Sequence, residues 1–152
     1  MSWAPDPPRD AAGNVIPHDD RVIIPDEWTL LRHVHSTQWH QDGLRPQSIA
    51  FTFSSEGSHS MSVDVEPPMI DDGLAPTHYA FREGKGVVRI TAGKARELGM
   101  QVGPEPIRCI NPHHGGIWKP NPSISENQLE KRRRALSRSC VVVALPPGGI
   151  RV

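Results

Sequence analysis

The chain has few cysteines, few aromatic residues and no net charge, and each shortage removes a class of protein. Cys109 and Cys140 are the only two cysteines, and neither belongs to a C-x-x-C pair, which excludes a disulfide framework and a cysteine-rich zinc site. Lys plus Arg and Asp plus Glu number 17 each, so no global field draws the chain onto nucleic acid or an anionic membrane. Aromatic residues are 5% of the chain, with one Tyr, too few for a platform that stacks single-stranded bases. No stretch approaches eighteen apolar residues, and the start Met1-Ser2-Trp3-Ala4-Pro5-Asp6 lacks the basic and apolar regions of a secretory leader. These features predict a soluble cytoplasmic protein with reduced thiols and no membrane contact. Neither a G-x-G-x-x-G nor a Walker pattern occurs.

Proline and glycine are abundant instead, at 16 and 13 of 152 residues, while hydrophobic residues are 36%. A chain of this length forms one domain, and its composition favours turns over long elements. Residues 1–20, with Pro5, Pro7, Pro8 and Pro17, read as a flexible arm whose Trp3 docks on the body or on a partner. Residues 21–152 read as the single domain. Alternation of Leu31, His33 and His35 against Leu30, Arg32 and Val34 predicts a strand. Ser48–Phe53 and Met61–Val65 also alternate, and are expected to form a hairpin across a polar loop at residues 54–60. Pro67 and Pro68 should end the second of these, with a linker at residues 69–76. Gly86–Ile90 reads as a buried strand running into a two-turn helix, with Thr91 as N-cap and Gly99 as stop. Residues 101–122 read as an ordered loop with short strands at residues 106–110 and 116–118. Ser125 with Gln128 forms a capping box for a last helix carrying Lys131, Arg132, Arg133, Arg134 and Arg138, and Val141–Leu145 closes the domain as a strand. The fold class is α+β, with a small, mainly antiparallel sheet, two short helices and many loops.

Chemistry concentrates in the histidines. His33, His35 and His40 fall within ten residues, His113 and His114 sit in Asn-Pro-His-His-Gly-Gly, and His59 lies between the two groups. Imidazole ligates metals and changes charge near neutral pH. On a strand, His33 and His35 share a face, so a divalent transition metal held by His33, His35 and His40 is one possible cofactor arrangement. His35-Ser36-Thr37 is the H-x-T unit of two-histidine phosphoesterases, but that chemistry needs the unit twice and it occurs once. Arg32 beside His33, with Arg45 and Ser48 in Arg45-Pro46-Gln47-Ser48, supplies guanidinium and hydroxyl groups suited to a phosphate or nucleotide. The basic run Lys131–Arg134 spreads over more than one helix face and reads as a solvated surface partly paired with Glu126 and Glu130.

Taken in order, Leu31-Arg32-His33-Val34-His35, Arg45-Pro46-Gln47-Ser48-Ile49-Ala50-Phe51, Ser62-Val63-Asp64, the segment from Gly86-Val87 to Gly99, and Asn111-Pro112-His113-His114 resemble a family of small, largely uncharacterised bacterial proteins. The resemblance spans residues 28–118 and implies no activity. What it implies is that the Arg-His strand, the Arg-Pro-x-Ser turn and the Asn-Pro-x-His loop belong to one unit.

No nucleophile with an adjacent base, no carboxylate pair and no complete metal motif can be assigned, so no catalytic residue is named. The leading expectation is a binding or accessory protein that uses a groove lined by Arg32, His33, His35, Arg45, Ser48 and His113 to recognise a small anionic ligand or a partner protein. The alternatives are a metal-dependent or phosphate- or nucleotide-processing enzyme using the same cluster, with His35 or His113 as the acid-base group, and nucleic-acid binding by the basic helix, against which the zero net charge weighs.

Overall fold

The computed structural model describes residues 3–151. Six strands form one open sheet: β1 (Thr29–Val34), β2 (Met61–Val65), β3 (Gly86–Thr91), β4 (Gln101–Pro104), β5 (His114–Trp118) and β6 (Val141–Ala144). Their order is β4-β5-β2-β1-β3-β6, and every pairing is antiparallel. Four helices accompany them, twice the number expected: α1 (Glu66–Asp71), α2 (His78–Arg82), α3 (Ala92–Glu97) and α4 (Glu126–Ser139). The molecule is the α+β fold with an antiparallel sheet that the strand and helix signals imply.

Side chains alternate across each strand, so the register assigns them to faces. One face carries Leu30, Val34, Met61, Val63, Val65, Val88, Ile90, Val102 and Ile117 into the main core, against Ile24, Trp39, Phe51 and Leu136. The other buries a smaller cluster of Leu31 and Val87 with Met69 of α1 and Ala80 of α2. Beyond that cluster the second face is polar, and the candidate site lies there.

Local signals set the helix ends. Thr91 Oγ1 accepts from the Lys94 amide at 3.1 Å, and Gly99 stops α3 at φ +82°, a left-handed conformation that glycine adopts without steric cost. Ser125 Oγ accepts from the Gln128 amide at 3.2 Å to start α4, and Leu129 and Leu136 carry its buried stripe.

Three expectations are corrected by tertiary context. Ser48–Phe53 is not a strand: Ser48–Phe51 forms a single 3-10 turn, with consecutive Ala50 and Phe51 buried and Ile49 exposed. Its carbonyls are taken by side chains of other elements, Ala50 by Arg32 and Phe51 by Arg133, so no ladder is needed to satisfy them. The hairpin with β2 is therefore absent, and β2 pairs with β1 and β5. Pro67 and Pro68 do not open a linker. They occupy the first turn of α1, where missing N–H groups cost nothing and a fixed φ suits the helix. Residues 106–110 form a turn closed by an Ile107–Asn111 bridge, whereas Gln101–Pro104 is extended. The segment before residue 21 lies along the body: Trp3 packs on Trp28 and donates to the Pro112 carbonyl, and Asp20 donates its amide to the Val102 carbonyl. Among the described residues, no helix is long and apolar enough to cross a membrane.

Candidate functional site: a polar cavity at a fork in the sheet

β1 pairs with β3 along its whole length, but with β2 only at Leu30 to Val65 and Leu31 to Asp64. Past Leu31 the two strands part, and Arg32 fills the gap. Its Nε donates to the Ala50 carbonyl at 2.8 Å and its Nη1 to the Ser62 carbonyl at 2.7 Å. Nη2 makes no hydrogen bond among the described residues and is not sealed from the space in front of it. No carboxylate of the described residues partners this guanidinium, and burial alone pulls its pKa down to about 10. It is still a cation at neutral pH, with no counter-ion among the described residues.

The fork opens into a cavity of about 690 Å³. His33 of β1, Asp64 of β2 and His114 of β5 form its floor, Tyr79, Arg82 and Lys85 one wall, and the loop from Ile107 to Asn111 the other. Asp64 is 1% exposed. Its Oδ2 lies 2.6 Å from His33 Nε2 and its Oδ1 accepts from Asn111 Nδ2 at 2.7 Å. His33 Nδ1 meets Glu83 Oε1 at 3.1 Å. Each ring nitrogen of His33 thus faces a carboxylate oxygen.

His114 differs. Register places it directly opposite Asp64, and its Nδ1 lies 2.7 Å from the Glu105 carbonyl. A carbonyl can only accept, so the hydrogen sits on Nδ1 and leaves Nε2 with a bare lone pair. Burial depresses the pKa of this ring despite the nearby Glu105 and Asp64, which keeps it neutral near pH 7. Nε2 has no hydrogen-bond partner among the described residues and is open to the cavity.

A second chain of polar groups backs the wall. Tyr79 OH lies 2.7 Å from His113 Nδ1, and His113 Nε2 lies 2.6 Å from Asp72 Oδ2. His113 is 3% exposed, while Asp72 reaches the surface. Burial, reinforced by the charge of Asp64, raises the Tyr79 pKa, so the phenol keeps its proton and donates a hydrogen bond to His113 Nδ1.

The two histidine-bearing segments therefore converge, but the six-residue groove divides. Arg32, His33 and His35 line the cavity, and His113 stands behind Tyr79. Arg45 and Ser48 line a separate opening of about 430 Å³, together with His40, Arg134 and Arg138. His35 lies just past the end of β1. Its Nδ1 meets Thr37 Oγ1 at 2.8 Å and accepts from the Thr37 amide at 3.2 Å, so the H-x-T unit closes a turn on itself. His33, His35 and His40 do not meet: His33 is committed to two carboxylates and His40 lies in the other opening. Among the described residues, no group of three or more His, Cys, Asp and Glu side chains is arranged to hold a metal ion. On α4, Arg133 is engaged by Glu126 and Glu130, and Arg134 by Glu130, while Arg132 donates to the Leu98 carbonyl. The Cys140 thiol, pushed up to about 11 by burial, is no nucleophile at neutral pH.

The groove expected from the sequence omits Asp64, Asn111, His114 and Tyr79, although the sequence marks His114 and the Asn111 loop as a chemically distinct segment. Asp64 sits in Met61-Ser62-Val63-Asp64-Val65, where strict alternation assigns it to the face opposite the core, which in isolation means water. Only the covering of that face by α1, α2 and the Ile107–Asn111 loop buries it. No family model matches the chain, and no curated protein and no solved structure matches it either.

Proposed function

We propose that the protein binds a small anionic ligand in the cavity at the fork, with Arg32 as the charge anchor and Arg82 and Lys85 guiding the anion at the mouth. The observation that carries this reading is the Arg32 guanidinium: two nitrogens bonded to backbone carbonyls, the third without a hydrogen bond, no carboxylate partner among the described residues, and Arg32 among the residues lining the cavity. A half-buried cation without a partner is unfavourable, and an anion in the cavity offsets part of that cost while gaining a charge-assisted hydrogen bond. A volume of about 690 Å³ falls within the range of small-molecule sites.

Calorimetric titration with inorganic phosphate tests it. Saturable binding with a dissociation constant below about 1 mM, a free energy of about 4 kcal/mol, is the expected result, and Arg32→Gln should weaken it by tenfold or more. Because Arg32 also fills the gap between β1 and β2, Arg82→Gln and Lys85→Gln provide a check on variants that leave the fork intact, each with a loss of about threefold. Absence of binding to phosphate, pyrophosphate and a short dicarboxylate by the wild-type protein overturns the proposal.

A second reading, catalysis on a phosphate or nucleotide by the same cluster, draws on the Tyr79–His113–Asp72 chain, which links the cavity wall to the surface through short hydrogen bonds of the kind that move protons. Turnover of p-nitrophenyl phosphate that is lost in Tyr79→Phe would support it, and no turnover by the wild-type protein would end it.

A further inference from the structure

The hydrogen-bonding groups of the cavity floor are unbalanced, and the imbalance describes the ligand. Asp64 and His114 are opposed across β2 and β5. Both Asp64 oxygens already accept hydrogen bonds, from His33 and Asn111. His114 Nε2 is a further acceptor, and no donor of the described residues reaches it. An acceptor set beside a carboxylate at the bottom of a half-closed cavity needs a donor, because neither group can satisfy the other. Lys85 is paired with Glu83, and the donors of Arg32 form an anion site next door. The missing donor therefore belongs to what enters the cavity.

Charge adds a second constraint. Arg32, Arg82 and Lys85 line the cavity as cations, while Asp64 and Glu83 line it as anions. The positive excess centres on Arg32, which Asp64 and Glu83 do not partner, and a phosphate monoester meets it with several acceptor oxygens at once.

Resting on the anion-binding reading above, we infer that the ligand is a phosphate monoester of a polyol, whose phosphate is held by Arg32 and one of whose hydroxyls donates to His114 Nε2. The hydroxyl supplies the donor that the floor lacks, and the phosphate supplies an anionic partner for Arg32. The same requirement gives the site its selectivity: an analogue without the hydroxyl leaves a desolvated lone pair unpaired, the situation in which polar sites reject isosteres most strongly.

A matched pair of probes tests this. Glycerol 3-phosphate and n-propyl phosphate have the same carbon chain and charge and differ in their hydroxyls, and inorganic phosphate reports the anion site alone. The expected result is that the wild-type protein binds glycerol 3-phosphate at least tenfold more tightly than propyl phosphate, and that His114→Asn brings the ratio below twofold. Asparagine keeps an N–H for the Glu105 carbonyl and removes the distal nitrogen. If His114→Asn fails to fold, the wild-type ratio decides alone. Equal binding of the two esters, with inorganic phosphate still bound, overturns this inference and leaves the anion reading standing. Failure to bind inorganic phosphate, pyrophosphate, a short dicarboxylate and both esters overturns both. Ribose 5-phosphate and adenosine monophosphate extend the test to the two sources of such a group. Tighter binding of either than of inorganic phosphate supports the inference, with the better of the two identifying a free sugar phosphate or a nucleotide, and weaker binding of both overturns it.

Discussion

The two openings of this molecule are both rich in arginine, yet they are built in opposite ways. At the smaller one Arg45, Arg134 and Arg138 are exposed, and Glu130 beside it is shared among Arg133, Arg134 and the Ser48 hydroxyl. Its guanidinium groups stand in water, where a unit charge interacts weakly and salt screens it further. At the larger one Arg32 is locked by two carbonyls, Asp64 is 1% exposed, and the tautomer of His114 is set by a backbone oxygen. The smaller opening has the greater excess of positive charge. The larger one has the fixed, more buried geometry. Counting basic residues along the chain favours the smaller opening, whereas burial decides what each charge is worth.

That contrast can be broken most directly by removing Asp64. Asp64→Ala strands His33 and Asn111 in a buried setting and should cost about 3 kcal/mol in urea-induced unfolding. A loss under about 1 kcal/mol would mean that the floor of the cavity is as well solvated as the smaller opening. A finer test uses pH. Burial lowers the pKa of His114 in the folded protein, so between that value and the ordinary imidazole value of about 6.5 the unfolded chain takes up the proton first. Stability is then fully present above pH 6.5 and is lost as pH falls toward the folded value. The groups facing this ring are Glu105 before β5, Asp64 on β2 and His33 on β1. Of these the carboxylates oppose the shift and His33 adds to it. Unfolding midpoints measured between pH 7.5 and about 5 should decline, and His114→Asn should flatten the decline; an unchanged slope in that variant assigns the proton uptake to another group. The smallest effect belongs to the open site. Arg138→Ala should change stability by less than about 0.5 kcal/mol, and a larger loss would show that its charge is not simply solvated.

How much of this could be read along the chain follows from the range of the interactions concerned. Thr91 and Gly99 around α3, and Ser125 with Gln128 at the start of α4, act within a few residues, and the structure has them where local capping rules predict. The strand character of Thr29–Val34 and Gly86–Thr91 was equally visible in alternation and in β-branched content. Ser48–Phe53 misleads because its alternation is real, while its carbonyls are satisfied by Arg32 and Arg133 from distant elements. Met61–Val65 was legible as a strand, but not which strands it would pair with, and those partners decide whether Asp64 meets water or His33.

By itself, then, the chain dictated an α+β domain, the ends of α3 and α4, and the presence of Arg32, His33 and the Asn111 loop as chemically distinct segments, because capping and periodicity are properties of neighbours. Tertiary structure alone decided that β1 and β2 part after Leu31, that Arg32 has no counter-ion among the described residues, that Arg45 and Ser48 fall into a different opening, and that His114 presents a bare nitrogen beside Asp64. Each of these depends on strand register and on the packing of helices and loops over one face of the sheet, which join residues distant along the chain.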